Sequence, residues 1–119
     1  MANIKIWHNS RCSKSRQALE ILENSSNEYE VFEYLKNNFS KDDIKEIIKM
    51  LGISDVREML RTKETEYKEL NIADENKTQD EIIELVISTP KLVERPIIIK
   101  DNQAVIARPM ENLTQLLDS

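Results

Sequence analysis

The sequence is poor in the residue types that most often mark chemistry: its 119 residues include one cysteine, one histidine, one tryptophan and one glycine. A single cysteine, Cys12, excludes an internal disulfide. It suits a reducing compartment, where the thiol is either inert or reactive. The lone glycine, Gly52, excludes a glycine-rich phosphate loop. One cysteine and one histidine do not close a metal site, so no metal is expected. No apolar run approaches the ~18 residues of a membrane helix. The start, MANIKIWHNS, has no charged region leading into an apolar one. Neither membrane association nor a secretion signal is expected, and the cytoplasm is the expected location. Positive charge is also short: 17 basic against 22 acidic residues give −5. That balance argues against a nucleic-acid surface but leaves room for a local basic pocket.

What is present is a globular composition, 39% hydrophobic and 33% charged, in a chain long enough for one core. Asn3 to Trp7 reads as a strand running into the polar segment HNSRCSKS. Ala18, Leu19 and Leu22 at helical spacing predict a helix over Ser13 to Asn24. After the turn Asn24-Ser-Ser-Asn27, Tyr29 to Tyr34 alternates as a second strand. Together these make a βαβ unit with a parallel pair and a right-handed crossover. The middle is helical. Ser40 with Asp43 forms a capping box ahead of Ile44, Ile47, Ile48 and Leu51, a stripe ending at Gly52. Ser54 can cap a short helix carrying Val56, Met59 and Leu60, with Arg61 at its end. Thr78 with Glu81 opens another helix that Pro90 stops. Pro96 to Ile99 reads as a buried strand, and Ala104 to Ala107 as its hairpin partner. Pro109 suits the first turn of a last helix. Neither two-stranded piece would be stable alone, so the ends must share one sheet. The expectation is one α/β domain, residues 1–119, with a mixed four-stranded sheet (βαβ … ββα) and a helical insert at about 40–89.

Cys12 stands at a strand-to-helix turn, where unpaired N–H groups concentrate partial positive charge. That setting favours thiolate, the nucleophilic form. His8, Arg11, Lys14 and Arg16 push the same way, and Ser15 can offer a hydroxyl to the sulfur. A free cysteine is commonly a buried structural residue, but the uniformly polar flanks from His8 to Ser15 argue otherwise. A phosphatase-type Cys-x5-Arg loop is absent, because Ala18 stands where its arginine would be. Arg61, Arg95 before Pro96, and Arg108 before Pro109 stand out by position. Each is either a solvated surface charge or a planar fork suited to an oxyanion beside the thiolate.

The segments IWHNSRCSKSRQALEIL, GISDVREMLRTKETEYKELNIAD, PKLVERPIII and ARP, in this order, resemble the glutaredoxin-coupled arsenate reductase family (the ArsC type) over nearly the whole chain. The resemblance implies a thioredoxin-like fold with a helical insert. It implies that Cys12 is the catalytic nucleophile, that His8 favours its thiolate, and that Ser15 supports it. Arg61, Arg95 and Arg108 match the family's oxyanion-binding arginines, and Pro96 matches a residue that commonly follows a cis peptide bond. The implied reaction is attack of Cys12 on arsenate, displacement of an oxygen by glutathione, and resolution by glutaredoxin to release arsenite. Glutathione would be a co-substrate with no bound cofactor, arsenate or a similar oxyanion the ligand, and the chain a monomer. Around the cysteine, Asn9-Ser10-Arg11-Cys12-Ser13-Lys14 departs from the family's common Asn-Pro before it and Gly-Thr after it.

Two other functions fit the same residues. One is a glutathione-dependent thiol or disulfide reductase of another substrate, since glutathione carboxylates could use the same charges. The other is a transcription regulator of the Spx type, which binds RNA polymerase and senses oxidation through Cys-x-x-Cys. Ser15 occupies the place of the second cysteine, so no disulfide switch can form there.

Overall fold

Four strands, β1 (Ile4–Trp7), β2 (Tyr29–Phe32), β3 (Ile97–Lys100) and β4 (Gln103–Ile106), form one mixed sheet in the order β2-β1-β3-β4. The structure is a computed structural model and describes residues 4–25, 28–107 and 110–118. β1 and β2 run parallel, joined by α1 (Ser13–Asn24), whereas β3 is antiparallel to both β1 and β4. The expected α/β class and four-stranded mixed sheet are therefore observed. Asn3, the expected start of the first strand, lies outside the described residues.

Local chemistry sets the ends. β2 stops at Phe32 rather than Tyr34, because the Glu33 carbonyl accepts the N–H groups of Lys36 and Asn37 and turns the chain. Tyr34 instead stacks on Trp7, with ring centroids 5.8 Å apart. The hairpin is tighter than expected: Gln103 already pairs with Lys100, leaving a two-residue loop with Asp101 at φ 55°. Asp tolerates that left-handed conformation better than most residues.

By contacts the chain divides into two compact units, Met1–Asn37 with Arg95–Ser119, and Asn38–Glu94. In the first, Ile4, Ile6 and Ile98 of the sheet pack with Ala18 and Leu22 of α1 and with Leu113 and Leu116 of α5 (Glu111–Asp118). Lys100 reaches across to donate to the carbonyls of Leu116 and Leu117 at the end of α5. Pro109, expected in the first turn of the last helix, lies outside the described residues.

In the second unit, α2 (Lys41–Leu51) and α4 (Gln79–Ser88) pack together and begin with the Ser40–Asp43 and Thr78–Glu81 capping boxes. Gly52 ends α2 at φ 73°, a left-handed cap that favours glycine. The short helix that follows is a 3₁₀ turn, Val56–Met59, and Asp55, not Ser54, caps it. The Asp55 carboxylate accepts the Arg57 N–H and is bound further by the Arg57 guanidinium and the Gln79 amide, an advantage Ser54 lacks. Arg61 therefore lies beyond that turn rather than ending it. A further helix, α3 (Thr65–Glu69), was not expected; five residues that bury no side chain leave no periodic signal. Among the described residues, no helix is long and apolar enough to cross a membrane.

Candidate active site

β1 carries one rung past its last strand residue, with the His8 N–H donating to the Phe32 carbonyl at 2.9 Å. There the chain leaves the sheet. The Asn9 side-chain oxygen accepts the Arg11 N–H at 3.0 Å, and the Asn9 carbonyl accepts the Cys12 N–H at 3.0 Å. This turn delivers Cys12 to the N-cap of α1 in an extended conformation, φ −95° and ψ 123°. The Cys12 carbonyl begins the helical ladder by accepting the Arg16 N–H. Its side chain is thereby set against the first turn, where α1 leaves N–H groups without helical partners.

Cys12 is buried, and burial alone would push the thiol up. The N–H of Ser15, the Arg95 guanidinium (by hydrogen bond and by charge) and the N–H of Lys14 outweigh it, so the thiol is held below its ordinary value. Arg95 comes from the segment entering β3, and the Arg95–Pro96 peptide is cis. The sheet thus joins two distant parts of the sequence, the β1–α1 turn and the residue before β3, at one sulfur.

Ser15 serves this site differently from the expectation that its hydroxyl meets the sulfur. It is fully buried, its Oγ accepts the Asn9 N–H at 3.0 Å, and it lies 2.7 Å from His8 Nδ1. Burial pushes His8 below its ordinary value; Glu33 opposes this and Arg16 reinforces it. His8 is thus held toward the neutral imidazole. Oγ and Nδ1 share one buried hydrogen bond, whose donor is set by the His8 tautomer. His8 and Ser15 therefore brace the loop over the helix end, and it is the backbone N–H of Ser15 that favours the thiolate.

Ser15→Ala is expected to leave buried polar groups of His8 and Asn9 short of a partner. The predicted loss is about 1–3 kcal/mol of unfolding free energy, measured by denaturant titration. The Cys12 thiol should move back toward ~8.5, measured from alkylation rate against pH. A variant with unchanged stability and an unchanged thiol titration would remove this bracing role.

A pocket of about 210 Å³ opens beside the turn, lined among others by His8, Arg11, Glu33 and Lys36. Arg61 belongs to the other unit, where its guanidinium pairs with the Glu64 carboxylate. Arg108 lies outside the described residues. Among the described residues, no group of three or more His, Cys, Asp or Glu side chains is placed to hold a metal ion.

With this geometry in place, residues 7–116 match the model of the ArsC family. The chain belongs to the ArsC family. Among its relatives, this ArsC chain is 40% identical over 114 residues to the uncharacterised protein YfgD of Escherichia coli K12, covering 96% of each chain. It is 39% identical over 117 residues to an arsenate reductase of Neisseria meningitidis serogroup A, covering 98% of this chain and 100% of that one. Its fold matches the solved arsenate reductase of Vibrio cholerae with a TM-score of 0.91 at 38% identity, covering 96% of this chain and 97% of that one. The thioredoxin-like fold of ArsC proteins is therefore that of this chain.

Proposed function

We propose that this ArsC chain is an arsenate reductase that uses the Cys12 thiolate, with glutathione as co-substrate and glutaredoxin as the final thiol donor. The observation that carries the reading is a thiol favoured as thiolate by two helix-terminal N–H groups and the Arg95 guanidinium. Such a sulfur is a nucleophile, and the cation beside it can neutralise an oxyanion during attack. Arg61 and Arg108 complete the grip on the oxyanion in this reading.

Cys12 attacks the As(V) centre, an arsenic–sulfur bond forms, and an oxygen leaves as water after protonation. Glutathione displaces a second oxygen in the same way. Glutaredoxin then takes the glutathione sulfur as a mixed disulfide. The two electrons of the glutathione sulfur–arsenic bond remain on arsenic, reducing it to As(III), and hydrolysis releases arsenite and restores Cys12. In this reading glutathione approaches over the pocket at His8, where Arg11 and Lys36 are cations for a carboxylate.

The test is arsenate-dependent NADPH oxidation with glutathione, glutaredoxin and glutathione reductase supplied. Turnover that requires all components is expected. No arsenate-dependent rate, together with reduction of a glutathione-mixed disulfide, would assign the chain to thiol–disulfide exchange instead.

A further inference from the structure

The segment around Arg61 is built as a short antiparallel pair. The Arg61 N–H donates to the Leu92 carbonyl at 2.7 Å, the Glu94 N–H donates to the Met59 carbonyl at 2.8 Å, and Leu60 bridges Val93. This pairing sets Lys91 beside the Arg61 turn. The Glu64 N–H donates back to the Arg61 carbonyl at 3.2 Å, closing the chain on itself. Glu64 occupies the N-cap of α3 but makes no capping hydrogen bond with its side chain. One carboxylate oxygen is on Arg61 Nη1, and the other is 3.8 Å from Lys91 Nζ. Lys91 is also 3.0 Å from Glu66.

We infer that Glu64 is a resident counter-anion of Arg61, which an incoming oxyanion must displace from the guanidinium. The inference rests on the reading above that Arg61 binds the oxyanion. Three features support it. The carboxylate occupies one arm of the guanidinium fork, Nη1, and an oxyanion gripping both arms would compete for it. The Arg61 and Glu64 side chains remain 27% and 20% exposed, so a ligand can reach the pair. The displaced carboxylate has a second cation in Lys91, so release does not strand a charge. The consequence is quantitative. Oxyanion affinity falls by the fraction of time that Glu64 leaves Arg61 open, equally for every oxyanion. Glu64 thereby sets the concentration at which the site fills.

The test is sulfate binding to the full chain by calorimetry, at ionic strength held constant with chloride. Sulfate serves as a probe that cannot be reduced. Glu64→Gln is expected to tighten binding roughly 1.5- to 5-fold, the range for a partly exposed ion pair. Arg61→Ala is expected to weaken binding, and Glu64→Gln in that background to change nothing further. Tightening that persists without Arg61 would be a net-charge effect and would overturn the inference. Weaker binding in Arg61→Ala with no gain in Glu64→Gln would overturn it while leaving the oxyanion role of Arg61 in place. No effect of Arg61→Ala would overturn both. Glu64→Asp, with a shorter arm, should show a smaller gain and guards against misfolding of the glutamine variant.

Discussion

Cys12→Ser is expected to abolish arsenate reduction, by about 10⁴-fold or more, while leaving the fold intact. The chain contains no second cysteine to take over, and a hydroxyl at that place neither ionises near neutral pH nor forms the sulfur–arsenic adduct. The position makes this a clean experiment. Cys12 is the N-cap of α1, and serine is among the residues that cap helices best. The variant should therefore match the parent in unfolding free energy or exceed it, by up to about 1 kcal/mol. Lost activity at undiminished stability would mark the sulfur as chemical rather than structural. Residual arsenate-dependent turnover in Cys12→Ser would show that the nucleophile lies elsewhere.

The parts of this site that could be read from the sequence are those governed by neighbours in the chain. The helix Ser13–Asn24 and the Ser40–Asp43 and Thr78–Glu81 boxes follow from local hydrogen bonding and apolar spacing, and all three are observed at the expected residues. The place of Cys12 at the head of α1 was legible for the same reason, since a strand running into a polar helix start sets that position. Asp55 takes the cap from Ser54 through a local box with Glu58, and the Gln79 amide of another helix reinforces it. Where distant groups decide, local reading fails. Ser15 turns from the sulfur to His8 because the loop between them folds back, which spacing along one helix face does not reveal. Glu64 is only three residues from Arg61, but α3 begins after it, so no helical spacing announces the pair, and Lys91 reaches it through the bridge between Leu60 and Val93.

Arg95→Ala should act on Cys12 in two separable ways. Arg95 both hydrogen-bonds the sulfur and places a positive charge beside it. The folded thiol is held low, so at a given pH the parent carries more thiolate than an ordinary cysteine does. Removing Arg95 should move the thiol up, and the pH profile of alkylation should shift to the alkaline side. Raising the pH would then restore the thiolate and the alkylation rate. It would not restore arsenate turnover, because the cation that neutralises the oxyanion in the transition state would still be missing. That deficit should persist at high pH at roughly 2–4 kcal/mol, or about 30- to 1000-fold in rate. Arg95→Lys keeps the charge without the planar fork, so it should recover most of the thiol titration and only part of the turnover. Full recovery of turnover at high pH in Arg95→Ala would confine the residue to tuning the thiol and remove it from the oxyanion grip.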